Sequence, residues 1–204
     1  MGERTMVVNR AEILSEPRYA GLRMSADEYL ALQPDGCRYE LVDGVVIVSP
    51  SPLPNHQLVA GEIVDQVRPY VRTQKLGVVL QETDVQLSKG AAGRQVVYRP
   101  EIMFLRAAHV PKIKGRITVV PDLIVEVISP GYRSYDTVTK RADYEAAGVG
   151  EYWIVDPQLE EFLFLRLIDG KYVEAAASGD WFESTVVDGF KLDLKQVREA
   201  FGQL

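Results

Sequence analysis

Two periods alternate along the chain. Over short runs apolar residues recur at every second position, and over longer ones at every third or fourth, which predicts a mixed α/β protein. Residues 1–23 carry no firm period and read as an arm. Ser25 followed by Glu28 is a capping-box pattern, and Met24, Tyr29, Leu30 and Leu32 give a short helix its apolar side until Pro34-Asp35-Gly36 ends it. The β-rich runs 38–43 and 45–48 meet at Asp43-Gly44, a strong signal for a tight hairpin. Ser49-Pro50-Ser51-Pro52-Leu53-Pro54 reads as a rigid loop, with Asn55 as the expected N-cap of a helix to about residue 75. Leu58, Val59, Ile63, Val67 and Val71 fall near one face of that helix, and Pro69 inside it is expected to bend or shorten it.

After Gly77 the period returns to two. Strands are expected at 78–81, 85–87 and, beyond a glycine-containing turn at 90–93, at 96–98. Two further strands, 101–105 and 122–128, precede a helix over 136–147 that stops at Gly148 as its C′ residue. A strand at 151–155 is closed by Asp156-Pro157; 161–167, 171–175 and 181–187 read as a small antiparallel extension, and a last helix follows Asp193. No internal repeat or linker interrupts the chain, so residues 24–204 are expected to form one α/β (α+β) domain behind the arm.

Composition narrows the class. A chain of 204 residues can bury a core without staples, and 47% hydrophobic with 25% charged residues is ordinary for a globular protein. Cys37 is the one cysteine, which excludes an intrachain disulfide and a cysteine-based zinc site. No stretch reads as a signal peptide or a membrane span, so a cytoplasmic protein without membrane contact is expected. A net charge of −6 counts against a protein that coats nucleic acid non-specifically. It counts less against a nuclease, whose acidic metal site lowers the total. Neither a phosphate-binding G-x-x-x-x-G-K-[ST] loop nor a G-x-S-x-G elbow nor an H-E-x-x-H helix occurs.

One residue breaks the pattern. The run Pro121-Asp-Leu-Ile-Val-Glu-Val-Ile-Ser-Pro130 is so apolar and β-branched that it predicts a strand covered on both faces, yet Glu126 lies in its middle. A buried carboxylate demands a cation, a metal or several donors. A glutamate at a strand end paired with an arginine is the structural alternative. Strands 101–105 and 122–128 are joined by about 16 residues, so antiparallel pairing is open to them. If Leu105 faces Asp122, Glu101 faces Glu126, and two carboxylates converge on one face within reach of a divalent ion. Asp122 lies roughly 13 Å along the strand from Glu126 and is expected to tether a loop or support the site from behind. The connection holds Arg106, His109, Lys112, Lys114 and Arg116 with no acid, which suits either phosphate capture or a solvated loop. Lys140 either pairs with Asp136 on a helix surface or leans over the edge of the strands toward a metal-bound water.

Tyr39-Glu-Leu-Val-Asp-Gly44, Ser49-Pro-Ser-Pro with His56-Gln57, the 121–130 run, Asp136, Lys140, Tyr144, Gly148-Val149 and Glu151-Tyr-Trp-Ile-Val-Asp-Pro157 follow one another in an order that resembles the Uma-two family, a branch of the PD-(D/E)xK nucleases. The resemblance spans about residues 24–165. It implies a restriction-endonuclease-like core, a mixed sheet flanked by helices, homodimers, and Mg²⁺- or Mn²⁺-dependent chemistry on DNA. Carried over, the first metal carboxylate falls at Glu101, where the family has aspartate after proline. The E-x-K element falls at Glu126-Val127-Ile128, with isoleucine in the lysine place and Lys140 as the replacement. Glu40 and Asp122 become accessory residues, and His56 is expected to cap or pack.

The resulting expectation is metal-dependent hydrolysis of phosphodiester bonds. Glu101, Glu126 and the Val127 carbonyl bind the ion, Lys140 orients water, and Arg106, Lys112, Lys114 and Arg116 hold phosphates. The alternative is a catalytically silent nuclease fold that binds nucleic acid or serves as an oligomeric scaffold.

Overall fold

The alternation within 101–105 and 122–128 is what builds the centre of the protein. In the computed structural model, which describes residues 17–88 and 90–202, the chain runs α1 (Ala26–Leu30), β1 (Arg38–Val42), β2 (Val45–Ser49), α2 (Pro54–Thr73), β3 (Gly77–Gln81), β4 (Val85–Leu87), β5 (Val96–Tyr98), β6 (Ile102–Arg106) and β7 (Leu123–Val127). A π-helical stretch, Tyr135–Lys140, then leads into α3 (Arg141–Ala147), followed by β8 (Glu151–Asp156), β9 (Glu161–Ile168), β10 (Lys171–Glu174), β11 (Trp181–Glu183), β12 (Lys191–Asp193) and α4 (Leu194–Phe201). Among the described residues the strands form a sheet in the order β10-β9-β8-β7-β6-β3, a second sheet β2-β1-β5-β4, and a ribbon β11-β12. In the larger sheet β7 and β8 are parallel and the other neighbours antiparallel.

All of β7 is buried, as expected of a strand covered on both faces. Leu123, Val125 and Val127 share one face with Ile102, Phe104, Trp153 and Val155, packed under Val59, Ile63, Val67 and Val71 of α2 and Val197 and Phe201 of α4. Ile124 and Ile128 share the other with Met103, Leu105, Tyr152 and Ile154, which meet Val85, Val96 and Tyr98 of the second sheet and Tyr144 of α3. Each fully buried aliphatic side chain contributes roughly 1.5–3 kcal/mol. Strict alternation puts Glu126 on this second face, between Ile124 and Ile128.

Most predicted elements form where expected. Ser25 and Glu28 close a reciprocal capping box on α1, and the β1–β2 turn holds Asp43 and Gly44 at φ 51° and 72°, the conformation a two-residue hairpin turn demands. Several expectations need correction. Leu53, not Asn55, is the N-cap of α2; Pro54 occupies the first turn, where its missing N–H costs nothing, and the Asn55 amide donates to the Phe201 carbonyl. Pro69 does not shorten α2, which continues to Thr73. Of the C-terminal runs, β9 and β10 extend the central sheet and only the β11–β12 ribbon stands apart; residues 184–187 are not a strand, and β12 was not expected. Residues 1–16 of the expected arm lie outside the described residues. Its remainder is docked, with Gly21 donating to Val46 O and Val46 to Leu22 O.

Glu151, fully buried at the start of β8, shows how this fold treats a structural carboxylate. It accepts from Trp153 Nε1, Ser184 Oγ, and both the backbone N–H and hydroxyl of Thr185, while Arg166 Nε lies 3.3 Å away. Every lone-pair direction has a donor, so the group clamps 184–185 to the sheet. Glu151→Ala should lower stability to urea by about 3 kcal/mol, because Arg166 and four donors lose their acceptor together. A loss below about 1 kcal/mol would show that the clamp is ornamental.

Candidate active site

The register of β6 against β7 pairs Ile102 with Val125, Met103 with Ile124 and Phe104 with Leu123. Continued by one step, it sets Glu101 opposite Glu126, as the sequence predicts. Glu126 is buried and Glu101 nearly so, with 12% of its side chain exposed. Both line a cleft that also contains Glu40 from β1, His56 from the first turn of α2, Val127, and Asp136 and Lys140 from the π-helical stretch.

Lys140 is the hub. Its Nζ lies 2.9 Å from Glu126 Oε1, 3.1 Å from Glu40 Oε1 and 3.6 Å from Asp136 Oδ1. The pair with Asp136 exists, but it is buried rather than on a helix surface, and Lys140 reaches over the strands to Glu126. The π-helical winding turns Asp136 and Lys140 inward together, with Arg141 N donating to Asp136 O five residues back. Two rings flank the ammonium, Tyr98 at 5.4 Å and Tyr135 at 5.3 Å to the ring centres. Tyr144 donates to Glu126 Oε1 at 2.9 Å, and Tyr135 donates to Glu40 Oε2 at 3.0 Å. The Arg99 N–H donates to Glu40 Oε1 at 3.2 Å.

Glu101 is held differently. It accepts no hydrogen bond from a described residue; His56 Nε2 stands 3.5 Å from its Oε1 and Arg38 Nη2 4.0 Å. Glu126 Oε2 is likewise left free, since both partners of this carboxylate use Oε1. Burial and the facing Glu126 push Glu101 up to about 8, against the pull of Arg38. Burial also raises Glu126, opposed by Lys140, and raises Asp136 to about 7. Burial alone would lower Lys140, but Glu126, Glu40 and Asp136 hold it well above its ordinary value, so the ammonium stays charged. Burial lowers His56, with the nearby Val127 carbonyl opposing, and keeps the ring neutral.

The other expected residues go elsewhere. Asp122 tethers the connection: it accepts from the Arg106 N–H at 2.9 Å, and Arg106 Nε at 2.5 Å and His109 Nδ1 at 3.0 Å close on it. Arg106 ends β6 some five residues from Glu101, roughly 17 Å along the strand. The structure does not bring Arg106, Lys112, Lys114 or Arg116 to the cleft, and Arg116 pairs with Asp27 of α1 instead. Glu40, expected as an accessory residue that approaches the site or stabilises the hairpin, touches Lys140 directly through its carboxylate. His56, expected to cap or pack, lines the cleft beside Glu101. Arg38, Tyr132 and Tyr135 were not foreseen there; three tyrosines in the polar runs flanking Glu126 were the available signal.

A family model described as "Putative restriction endonuclease", Uma2, matches residues 26–195. The chain belongs to the Uma2 family. Its fold is similar to that of a solved structure from Anabaena variabilis, described as a putative nuclease belonging to DUF820. That similarity has a TM-score of 0.72 at 17% identity and covers 87% of this chain and 99% of the other. At that identity the likeness speaks for the fold alone, which is restriction-endonuclease-like: mixed sheets flanked by helices. None of the curated proteins matches the chain.

Restriction-endonuclease-like nucleases usually use divalent metals. Among the described residues no group of three or more His, Cys, Asp or Glu side chains is set to ligate an ion. What the cleft offers is two facing carboxylates with unengaged oxygens beside the Val127 main chain. That donor set suits Mg²⁺, which takes one or two carboxylates and keeps water and phosphate for its remaining positions.

The raised Glu101 has a consequence for stability. The folded state binds this proton more tightly than the unfolded chain, so its contribution is complete below about pH 4.5 and is lost as pH rises toward about 8. Asp136 and Glu126 act with the same sign. In metal-free buffer Tm should fall between pH 5 and 8, and Glu101→Gln should flatten that fall. An unchanged slope in the variant would mean that Glu101 is ionised and solvated throughout.

Proposed function

We propose that this protein is a metal-dependent endonuclease that hydrolyses phosphodiester bonds in DNA. One observation carries the reading: Glu101 and Glu126 face each other with free oxygens beside a buried, charged Lys140. Membership of a restriction-endonuclease-like family supports it. Glu101, Glu126 and the Val127 carbonyl are the residues that would hold Mg²⁺ or Mn²⁺, which supplies Lewis acidity toward the phosphate.

The chain's own groups do the rest. Lys140 is locked by Glu126, Glu40 and Asp136, so its charge is positioned before substrate arrives and can offset charge that builds on the phosphoryl oxygens. Tyr144 and Tyr135 orient Glu126 and Glu40. The neutral His56 ring beside Glu101 can accept a proton from attacking water. The homodimer implied by the family is part of this reading and is tested by light scattering of the purified protein.

Glu101 gives the cleanest test, because removing an under-satisfied carboxylate spares the fold. Supercoiled plasmid and labelled oligonucleotides should be cut with Mg²⁺ or Mn²⁺ present. Glu101→Ala and Glu126→Gln should each lower the rate by about 10²-fold or more, in the range seen when one transition-state contact is lost. Glu101→Ala should keep or raise its Tm, and the metal should raise the Tm of the wild type and not of this variant. The substitution of glutamate for the family's aspartate favours a second reading, a silent scaffold. It is supported if the folded wild type cuts nothing and gains no stability from metal, and Glu101→Asp then becomes the variant to assay.

A further inference from the structure

The mouth of the cleft is apolar where a DNA-binding surface is expected to be basic. Val48, Pro50, Pro52 and Tyr132 line it, and Leu53 continues the proline-rich wall outward. Tyr132 is placed by a tight turn directly after β7. Its N–H donates to Ser129 O at 3.0 Å across Pro130-Gly131, and Gly131 sits at φ 82°, the left-handed position that a type II turn reserves for glycine. The ring leans edge-on against Tyr135 at 6.5 Å between centres, and no described residue hydrogen-bonds its hydroxyl. It is 37% exposed, a rigid aromatic plate standing at the entrance.

The cations of the cleft are already committed. Arg38 Nη1 is 3.2 Å from Glu82, Arg99 grips Asp84 through Nε at 2.7 Å and Nη2 at 3.0 Å, and Lys140 is enclosed by its three acids. Binding through many neutralised phosphates, the usual source of duplex affinity, is therefore not on offer here. The free space in the cleft is about 50 Å³, room for a few waters or a group of phosphate size. A scissile phosphate must reach the carboxylates while its base remains outside, beside Tyr132 and the prolines.

We propose that Tyr132 is a stacking platform for an unpaired base next to the scissile phosphate, so that the substrate is single-stranded or locally splayed DNA. Stacking of a base on an aromatic ring contributes roughly 1–3 kcal/mol and tolerates any sequence. This rests on the nuclease reading for the phosphate and adds the state of the strand. Tyr132 is a positioning residue: it holds the nucleotide and leaves the reacting atoms to the carboxylates and Lys140.

The test uses oligonucleotides of one sequence, single-stranded or in blunt duplex, carrying 2-aminopurine, with wild type, Tyr132→Ala and Tyr132→Trp in Mg²⁺. Single strands should bind the wild type with quenched 2-aminopurine and a shallow salt dependence worth about one or two phosphates. The duplex should bind at least about tenfold more weakly. Tyr132→Ala should lose the quenching and raise KM about tenfold with kcat little changed, while Tyr132→Trp restores both. Equal binding of duplex and single strand, or quenching that survives Tyr132→Ala, overturns the proposal. Cleavage without quenching refutes the platform and leaves the nuclease reading intact. Quenching that needs Tyr132, with no cleavage of any substrate, upholds the platform and refutes the nuclease. Neither binding nor cleavage removes both.

Discussion

The contact between Lys140 and Glu126 is the constraint on which the centre of this molecule depends. Two ions withdrawn from water are stable together only when their geometry is fixed and their remaining hydrogen-bonding directions are used. The fold meets this from four directions. β7 supplies Glu126, the π-helical stretch supplies Lys140 and Asp136, β1 supplies Glu40, and α3 supplies the Tyr144 hydroxyl. Losing the lysine would leave three acids buried without a cation. The two sheets and the helix after β7 are therefore tied to one another by charge as well as by apolar contact. The aromatic cage of Tyr98, Tyr135, Tyr144 and Tyr152 surrounds the pair and keeps the local dielectric low, which strengthens each of these interactions.

Against that background the acids sort by how they are satisfied. Glu151 has donors on every side and holds two segments together. Glu40 and Asp136 serve Lys140. Glu101 has nothing closer than His56 at 3.5 Å, and its proton affinity is raised accordingly. A carboxylate placed in a cleft without donors is the group on which the proposed metal site rests. The backbone there is fixed, since Glu101 O accepts from Glu82 N at 3.3 Å.

Much of this was legible in the sequence, and the reasons for success and failure are physical. Glu126 was visible because a single acid in a β-branched run is costly at a doubly covered strand, and the register posited by setting Leu105 against Asp122 is the one that β6 and β7 adopt. Lys140 could be named, but not its burial, because a helical period of 3.6 does not foresee a π-helical winding that turns 136 and 140 inward. His56 and Arg38 reach the cleft across chain separations that no local pattern encodes. The basic connection misled for the opposite reason. A run of like charge signals exposure, and its proximity to Glu126 in sequence concealed that an antiparallel pair puts its connection at the end away from Glu101. The C-terminal strands read as separate because alternation identifies strands and says nothing of which sheet edge they join.

For the proposed nuclease, the placement of charge also explains how an acidic protein would offer a site to an anionic polymer. With a net charge of −6 the molecule repels phosphate at long range, and the arginines that border the cleft are held by Glu82 and Asp84. The cleft itself gathers Glu40, Glu101, Glu126 and Asp136 around a single buried ammonium. Such a surface selects against polyanions until a divalent cation changes the local sign, and then only at one point. Affinity for the rest of such a ligand would come from contacts that do not depend on charge, and the mouth presents the exposed Val48 and Tyr132 with the half-buried Pro50 and Pro52. Acidic interior, committed arginines and apolar rim are thus one arrangement: under the proposed function a phosphate would enter through a bound cation, and what is attached to it would be held by its flat, uncharged face.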